Sequence, residues 1–139
     1  MANYWKFETF RDGLRTVWKE YQVEIMRYLW SLEEGKGAGS GKVWVAVNKV
    51  LKKRKKSISR ASCIFFLDHM VDEGVLEYIK ETGKGGWHRI YSPVFDETGF
   101  KEYLAGKIIG KLMEEFPEET RSAIWNLQRG HGLRGEIMP

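Results

Sequence analysis

Apolar residues recur at helical spacing over most of this chain, and only one short region alternates as a strand does. Phe7, Phe10, Leu14, Val17, Trp18 and Tyr21 sit three and four residues apart, which predicts a helical extension over residues 1–20, interrupted only by Gly13. Ile25, Met26, Leu29 and Leu32 continue the pattern in a helix from Tyr21 to about Glu33. The stretch Gly35-Lys36-Gly37-Ala38-Gly39-Ser40-Gly41-Lys42 breaks it and reads as a loop. Val43, Trp44, Val47, Val50 and Leu51 predict a second helix. A third is expected from about Ser59 to Glu73, capped by Ser57 or Ser59, with Ile64, Leu67 and Met70 facing the core and Gly74 ending it. Leu76 to Glu81 and Trp87 to Ser92 are strand candidates; Trp87, Arg89 and Tyr91 fall on one face of the second and His88 and Ile90 on the other.

Three helices followed by a hairpin is the order of a winged helix-turn-helix domain. The expected fold is therefore mainly α with a small β-hairpin wing. Residues 1–20 form the extension, 21–94 the winged domain, 95–128 a pair of C-terminal dimerisation helices, and 129–139 a flexible tail. The C-terminal helices begin at Asp96 or Thr98. They carry Tyr103, Leu104, Ile108, Ile109, Leu112, Met113 and Phe116, then Pro117 and a last stripe at Ile124, Trp125 and Leu127. Such a pair lying beyond a complete small domain has little core of its own. Its stripe is expected to bury against a second copy, making a homodimer.

Composition narrows the class. Of 139 residues, 42% are hydrophobic and 30% charged, the balance of a folded globular chain. No apolar run approaches the length of a membrane span, and the first residues lack the apolar core of a signal peptide, so a cytoplasmic location and no membrane partner are expected. The single cysteine excludes an internal disulfide and a cysteine-based zinc site.

Charge adds most. From Gly35 to Leu67 the chain carries nine cations (Lys36, Lys42, Lys49, Lys52, Lys53, Arg54, Lys55, Lys56 and Arg60) and no acid, while the whole chain is only +4, leaving −5 for the rest. A basic block inside a mildly acidic chain marks a polyanion-binding surface, although a solvated lysine-rich helix end has the same look. The glycine-rich loop before it does not cradle a nucleotide. The Walker pattern needs glycine where Lys36 stands and Ser or Thr where Val43 stands.

With that block placed between a second helix and a wing, the candidate DNA contacts follow. Lys53, Arg54, Lys55 and Lys56 are read as phosphate clamps, and Ser59 and Arg60 open the recognition helix, Arg60 on a phosphate or a guanine. Ser62, Phe65 and His69 face the groove: Ser62 bonds a phosphate or base edge, and Phe65 meets a thymine methyl or serves as a packing contact. Lys84 at the wing tip reaches the backbone or minor groove, supported by Arg89. Cys63 reads as a small core residue, with an exposed redox thiol as the alternative. The histidines lack ligand spacing, and no Ser/His/Asp set is present, so neither an enzyme nor a cofactor or metal is expected.

The residues also resemble the penicillinase/methicillin-resistance repressor family of the BlaI/MecI type. Glu24-Ile25-Met26-Arg27-Tyr28-Leu29-Trp30 is similar to that family's opening E-x-x-M-x-x-L-W segment. Leu67-Asp68-His69-Met70-Val71-Asp72-Glu73-Gly74-Val75-Leu76 is similar to its L-x-R-L-x-x-K-G-L-V, and Tyr91-Ser92-Pro93 to the Y-x-P that closes its wing. The resemblance covers about Tyr21 to Leu127 and implies a homodimeric repressor, its winged domains on double-stranded operator DNA and its C-terminal helices joining the subunits. Departures from the pattern fall in the recognition helix. The family favours threonines early there, where this chain keeps Ser62 but has Ala61 and Phe65, and His69 and Glu73 replace the usual cations.

The function expected is a sequence-specific DNA-binding transcriptional regulator, a homodimeric repressor on an inverted repeat, its inducer undetermined. A protein-interaction winged helix and a nonspecific nucleic-acid binder are the alternatives.

Overall fold

The computed structural model describes residues 5–83 and 85–130, which fall in two compact units, Met1–Asp96 and Glu97–Pro139. The first holds helices α1 (Glu20–Ser31), α2 (Ser40–Lys52) and α3 (Arg60–Asp72), then strands β1 (Leu76–Gly83) and β2 (Gly86–Pro93). The second holds α4 (Glu97–Glu115) and α5 (Pro117–Gln128). This is a winged helix-turn-helix followed by C-terminal helices.

The core of the first unit is a three-helix cluster closed by the hairpin. Val23, Ile25, Met26 and Leu29 of α1 are buried with Val43, Val47 and Leu51 of α2 and Cys63, Phe66, Leu67 and Met70 of α3. Val75, Leu76 and Tyr91 add the base of the wing. Ile64, expected in this core, is exposed. The buried face runs through Cys63, Phe66, Leu67 and Met70, an i, i+3, i+4, i+7 set whose phase is shifted one residue from the expected one.

The ends of α3 show why it starts and stops where it does. Ser59, not Ser57, is the N-cap, its Oγ accepting from the Ser62 N–H at 3.1 Å. At the other end Gly74 adopts φ +78°, the left-handed geometry glycine reaches without strain. Val75 N–H then donates to Met70 O and Gly74 N–H to Val71 O, satisfying two end carbonyls while Met70 and Val75 are both buried.

The strands pair antiparallel from Leu76↔Pro93 to Gly83↔Gly86. Ala38 adds an isolated bridge to Tyr91, with both backbone bonds 2.9 Å long. The glycine-rich stretch is therefore only partly a loop: Ala38 is buried beside β2, and α2 already begins at Ser40. Gly37 is required there, since a Cβ on it would lie 2.4 Å from the Tyr91 carbonyl oxygen.

The N-terminal segment is not the expected helix. Among its described residues the only helical turn is a four-residue 3-10 turn at Gly13–Thr16, beginning on Gly13 at φ +56°. Glu8 N–H bonds to Thr16 O at 2.7 Å and closes a loop instead. Leu14 and Trp18 are buried, Trp18 edge-on to Phe66 and tilted against Trp5 and Trp30, whereas Phe10 remains 75% exposed. A helix-breaking glycine and the buried anchors Leu14 and Trp18 decide this segment against its apolar spacing.

In the second unit, α4 and α5 form a helical hairpin. Pro117 occupies the first turn of α5, where its missing N–H is harmless, with Glu118 and Glu119 beside it at the positive end of the helix dipole. Thr120 Oγ1 donates to Leu112 O at 3.1 Å, tying the two helices together.

Candidate nucleic-acid interface

The turn between α2 and α3 is held by side chains of α2. Asn48 Oδ1 accepts from the Ile58 N–H at 3.0 Å while Asn48 Nδ2 donates to Ile58 O at 3.3 Å. Trp44 Nε1 donates to the same carbonyl at 2.9 Å. This fixes the chain between the basic run and the start of α3. It also gives a reason for the buried polar Asn48, which sequence reasoning passed over.

The basic run divides into two groups. Arg54 Nη1 lies 2.8 Å from Glu20 Oε2 and 3.1 Å from Glu24 Oε2, and Lys56 Nζ lies 2.5 Å from Glu20 Oε1. These bonds, Lys56 first and Arg54 second, hold the Glu20 carboxyl below its ordinary range. The same pairing raises the Arg54 guanidinium. Arg54 and Lys56, expected as clamps, therefore anchor the turn to α1.

Lys53 and Lys55 project outward as expected, Lys55 from a left-handed backbone at φ +60° that is unusual for a residue with a Cβ. They extend a stripe that the sequence reading left unassigned: Lys42, Lys49 and Lys52 are exposed on the outer side of α2 together with Val45. The i, i+3, i+7 spacing of Lys42, Val45 and Lys49, continued by Lys52, was the available signal.

The exposed side of α3 is split. Ser62, Phe65 and His69 border a depression of about 990 Å³ whose other walls include Trp18, Lys19 and Gln22. Ser62 Oγ is 3.0 Å from Ser59 Oγ, Phe65 is 68% exposed, and His69 packs edge-on to it at 5.5 Å. Arg60, Ile64 and Asp68 turn the other way, lining a cleft of about 570 Å³ against the wing with Arg89. Arg60 lies over the start of α2, where a Cβ on Gly41 would come within 3.0 Å of its Nη2.

Cys63 lies on the buried face, fully covered, and burial pushes its thiol up to about 11, only partly countered by Arg60. It is a protonated core residue at neutral pH.

The wing is joined to α3 through Asp68, which receives Arg89 Nη1 at 3.1 Å and Tyr91 Oη at 2.6 Å. Burial first, then the bond to Asp68, raise the Tyr91 hydroxyl, which stays protonated and donates. The strand register separates the hairpin's charges. Tyr78↔Tyr91, Lys80↔Arg89 and Thr82↔Trp87 share one face, while Glu77, Glu81, Ile79, His88 and Ile90 lie on the other. On the first face Arg89 sits 4.2 Å from the Tyr78 ring centroid, and Lys80 Nζ 4.3 Å from that of Trp87. Lys84, expected at the wing tip, lies outside the described residues.

Of the stripe expected to join subunits, Leu104 is already buried and Tyr103, Ile108 and Met113 are half-buried. Ile109, Leu112 and Phe116 are exposed, as are Trp125 and Leu127 of α5. Among the described residues no group of three or more His, Cys, Asp or Glu is placed to hold a metal ion, and no helix is long and apolar enough to cross a membrane.

No protein-family model matches the chain, and no curated protein does. Solved structures do. The ferric uptake regulator of Vibrio cholerae aligns at 14% identity and TM-score 0.39, over 58% of this chain and 55% of its own. A candidate transcriptional regulator from Thermoplasma acidophilum aligns at 16% identity and TM-score 0.44, over 68% of this chain and 90% of its own. A PadR family transcription regulator from Clostridium difficile aligns at 15% identity and TM-score 0.41, over 70% of this chain and 98% of its own.

Proposed function

We propose that this chain is a DNA-binding transcriptional regulator that docks its winged helix-turn-helix on double-stranded DNA. The observation that carries this reading is the lysine stripe of α2 and the following turn. Lys42, Lys49, Lys52, Lys53 and Lys55 are all exposed, within a stretch that contains no acid from Gly35 to Leu67. The first helix of a helix-turn-helix crosses the DNA backbone, so cations on its outer side are placed to neutralise phosphates.

The homodimeric repressor form of this reading draws on the resemblance to the BlaI/MecI type and on α4. Ile109, Leu112, Met113 and Phe116 recur at i, i+3, i+4, i+7, three of them exposed, which is the stripe a second copy would cover. Two such subunits would meet an inverted repeat with half-sites about one DNA turn apart.

Selection from random double-stranded DNA, followed by footprinting across a salt series, tests the reading. A regulator protects one short palindrome, with affinity falling steeply as salt rises. A folded dimer that binds no DNA at low salt overturns it in favour of a protein-interaction winged helix. That second reading is favoured by the outer side of α3, where exposed Phe65 borders the same depression as the carboxylate of Asp72. For the dimer, removal of residues 96–139 should leave a monomer by light scattering.

A further inference from the structure

We infer that the wing, through Trp87 between Lys80 and the glycine tip, makes the base contacts of the DNA complex, in the minor groove, while α3 serves as a docking element. This rests on the DNA-binding reading above and concerns only which element reads the sequence.

Helix α3 is poorly equipped to read. Beyond Arg60 it has no Lys or Arg, and its exposed positions are Ala61, Ile64, Phe65, His69 and Asp72, with Asp68 half-buried toward the wing. Of its two carboxylates, Asp68 is held by Arg89 at 3.1 Å and Asp72 is exposed on the outer side. Ser62 is already engaged with Ser59. A major-groove reader presents donors such as Arg, Asn or Gln to base edges; beyond Arg60, α3 has only the Ser62 hydroxyl and His69, whose ring packs edge-on to Phe65.

The wing has what α3 lacks. Register puts Tyr78, Lys80, Trp87 and Arg89 on one face and both of the hairpin's acids, Glu77 and Glu81, on the other. Trp87 is 57% exposed despite its size, with Lys80 Nζ 4.3 Å from its ring centroid. Gly85 at φ +84° and Gly86 at φ +111° close the hairpin without side chains, and a Cβ on either would touch nothing within 4 Å. Their role is to let the backbone turn tightly, not to relieve a packing clash. A two-stranded hairpin is the kind of element that enters the minor groove, about 6 Å wide. Its negative potential, deepest in narrow A·T-rich stretches, attracts the paired Lys80 and Arg89. An apolar side chain at such a tip wedges into a flexible base step. Arg89 also bonds Asp68, so the same residue ties the reading face to the docked helix.

Inosine·cytosine pairs test this, because they remove the guanine amino group from the minor groove and leave the major-groove edge unchanged. The full-length protein and its Trp87→Ala, Trp87→Phe and Phe65→Ala variants would be titrated on a selected site. Each would also be titrated on versions carrying inosine·cytosine in place of single G·C pairs. The expected result is a several-fold change for wild type at the wing-proximal pairs. Trp87→Ala should lose about tenfold on the selected site together with that sensitivity, Trp87→Phe should keep most of both, and Phe65→Ala, whatever it costs in affinity, should keep the inosine sensitivity and the preferred sequence. Trp87 is exposed, so its variants are expected to keep the wild-type melting temperature; a misfolded Trp87→Ala leaves Trp87→Phe and the inosine series on wild type to decide. DNA binding that is indifferent to inosine and to Trp87, but shifts its preferred sequence on Phe65→Ala, overturns the wing as reader and leaves the regulator standing. No binding to any duplex at low salt overturns both.

Discussion

Helices α2 and α3 are each 13 residues long and bury comparable apolar faces in the same core, yet their outer sides are opposites. That of α2 carries Lys42, Val45, Lys49 and Lys52; that of α3 carries Ala61, Phe65, His69 and Asp72. In a winged helix the second of these positions is the one expected to be basic and hydrogen-bonding. On the proposed reading, attraction to the phosphate backbone and discrimination between bases belong to different elements, the first to α2 and its turn. Affinity should accordingly be more sensitive to α2 than sequence preference is to α3.

The largest effect expected is from α2. Replacing Lys42, Lys49, Lys52 and Lys53 together by Ala should remove roughly 0.9 per cation from the slope of log affinity against log salt, or about 3.6, and weaken every duplex alike by on the order of 1000-fold at 0.1 M salt. Fluorescence-anisotropy titrations over a salt series measure it, and an unchanged slope would mean that α2 does not face the DNA. Next comes the turn that joins the two helices. Asn48→Ala strips the buried Ile58 N–H of its partner and should cost about 2 kcal/mol in chemical denaturation.

A smaller change is expected where acids restrain cations. Glu20→Gln with Glu24→Gln should release Arg54 and Lys56 and steepen the salt slope by about 2. The folded Glu20 carboxyl is depressed, so its contribution to stability is complete above the ordinary carboxylate range and is lost as pH falls through the lowered value. The melting-temperature gap between wild type and Glu20→Gln should therefore be present at pH 7 and close on acidification. The smallest effect sharpens the α3 side. Asp72→Asn, exposed and with no part in the wing bond, should raise affinity about two- to threefold if α3 lies near phosphates, and not at all if it stands clear of them.

Where one periodicity was unambiguous, the residues announced the element. The spacing of Val43, Val47 and Leu51, the Ser59 cap, the Gly74 stop and the alternation from Trp87 to Tyr91 all reappear in the structure. Helix α3 was harder because Cys63 to Leu67 is an unbroken apolar run, compatible with more than one helical phase. Ile64 was assigned inward by that ambiguity, and Phe66 was not assigned. The division of the basic run was invisible for another reason: Arg54 and Lys56 meet Glu20 and Glu24 across 30 or more positions of sequence, and no local pattern encodes such a pairing. Residues 5–18 misled because their apolar residues anchor a loop through Leu14 and Trp18, a use to which period 3.6 is blind.

Cys63 has a practical consequence. It is the chain's one thiol, fully buried on the inner face of α3 and kept protonated, so a thiol reagent in solution cannot reach it while that helix is seated. Its labelling rate is then a clock for departures of α3 from the core, readable in the unmodified protein. If labelling slows when DNA is added, the docked helix is held shut by the duplex; if labelling tracks global unfolding alone, α3 opens only with the whole domain.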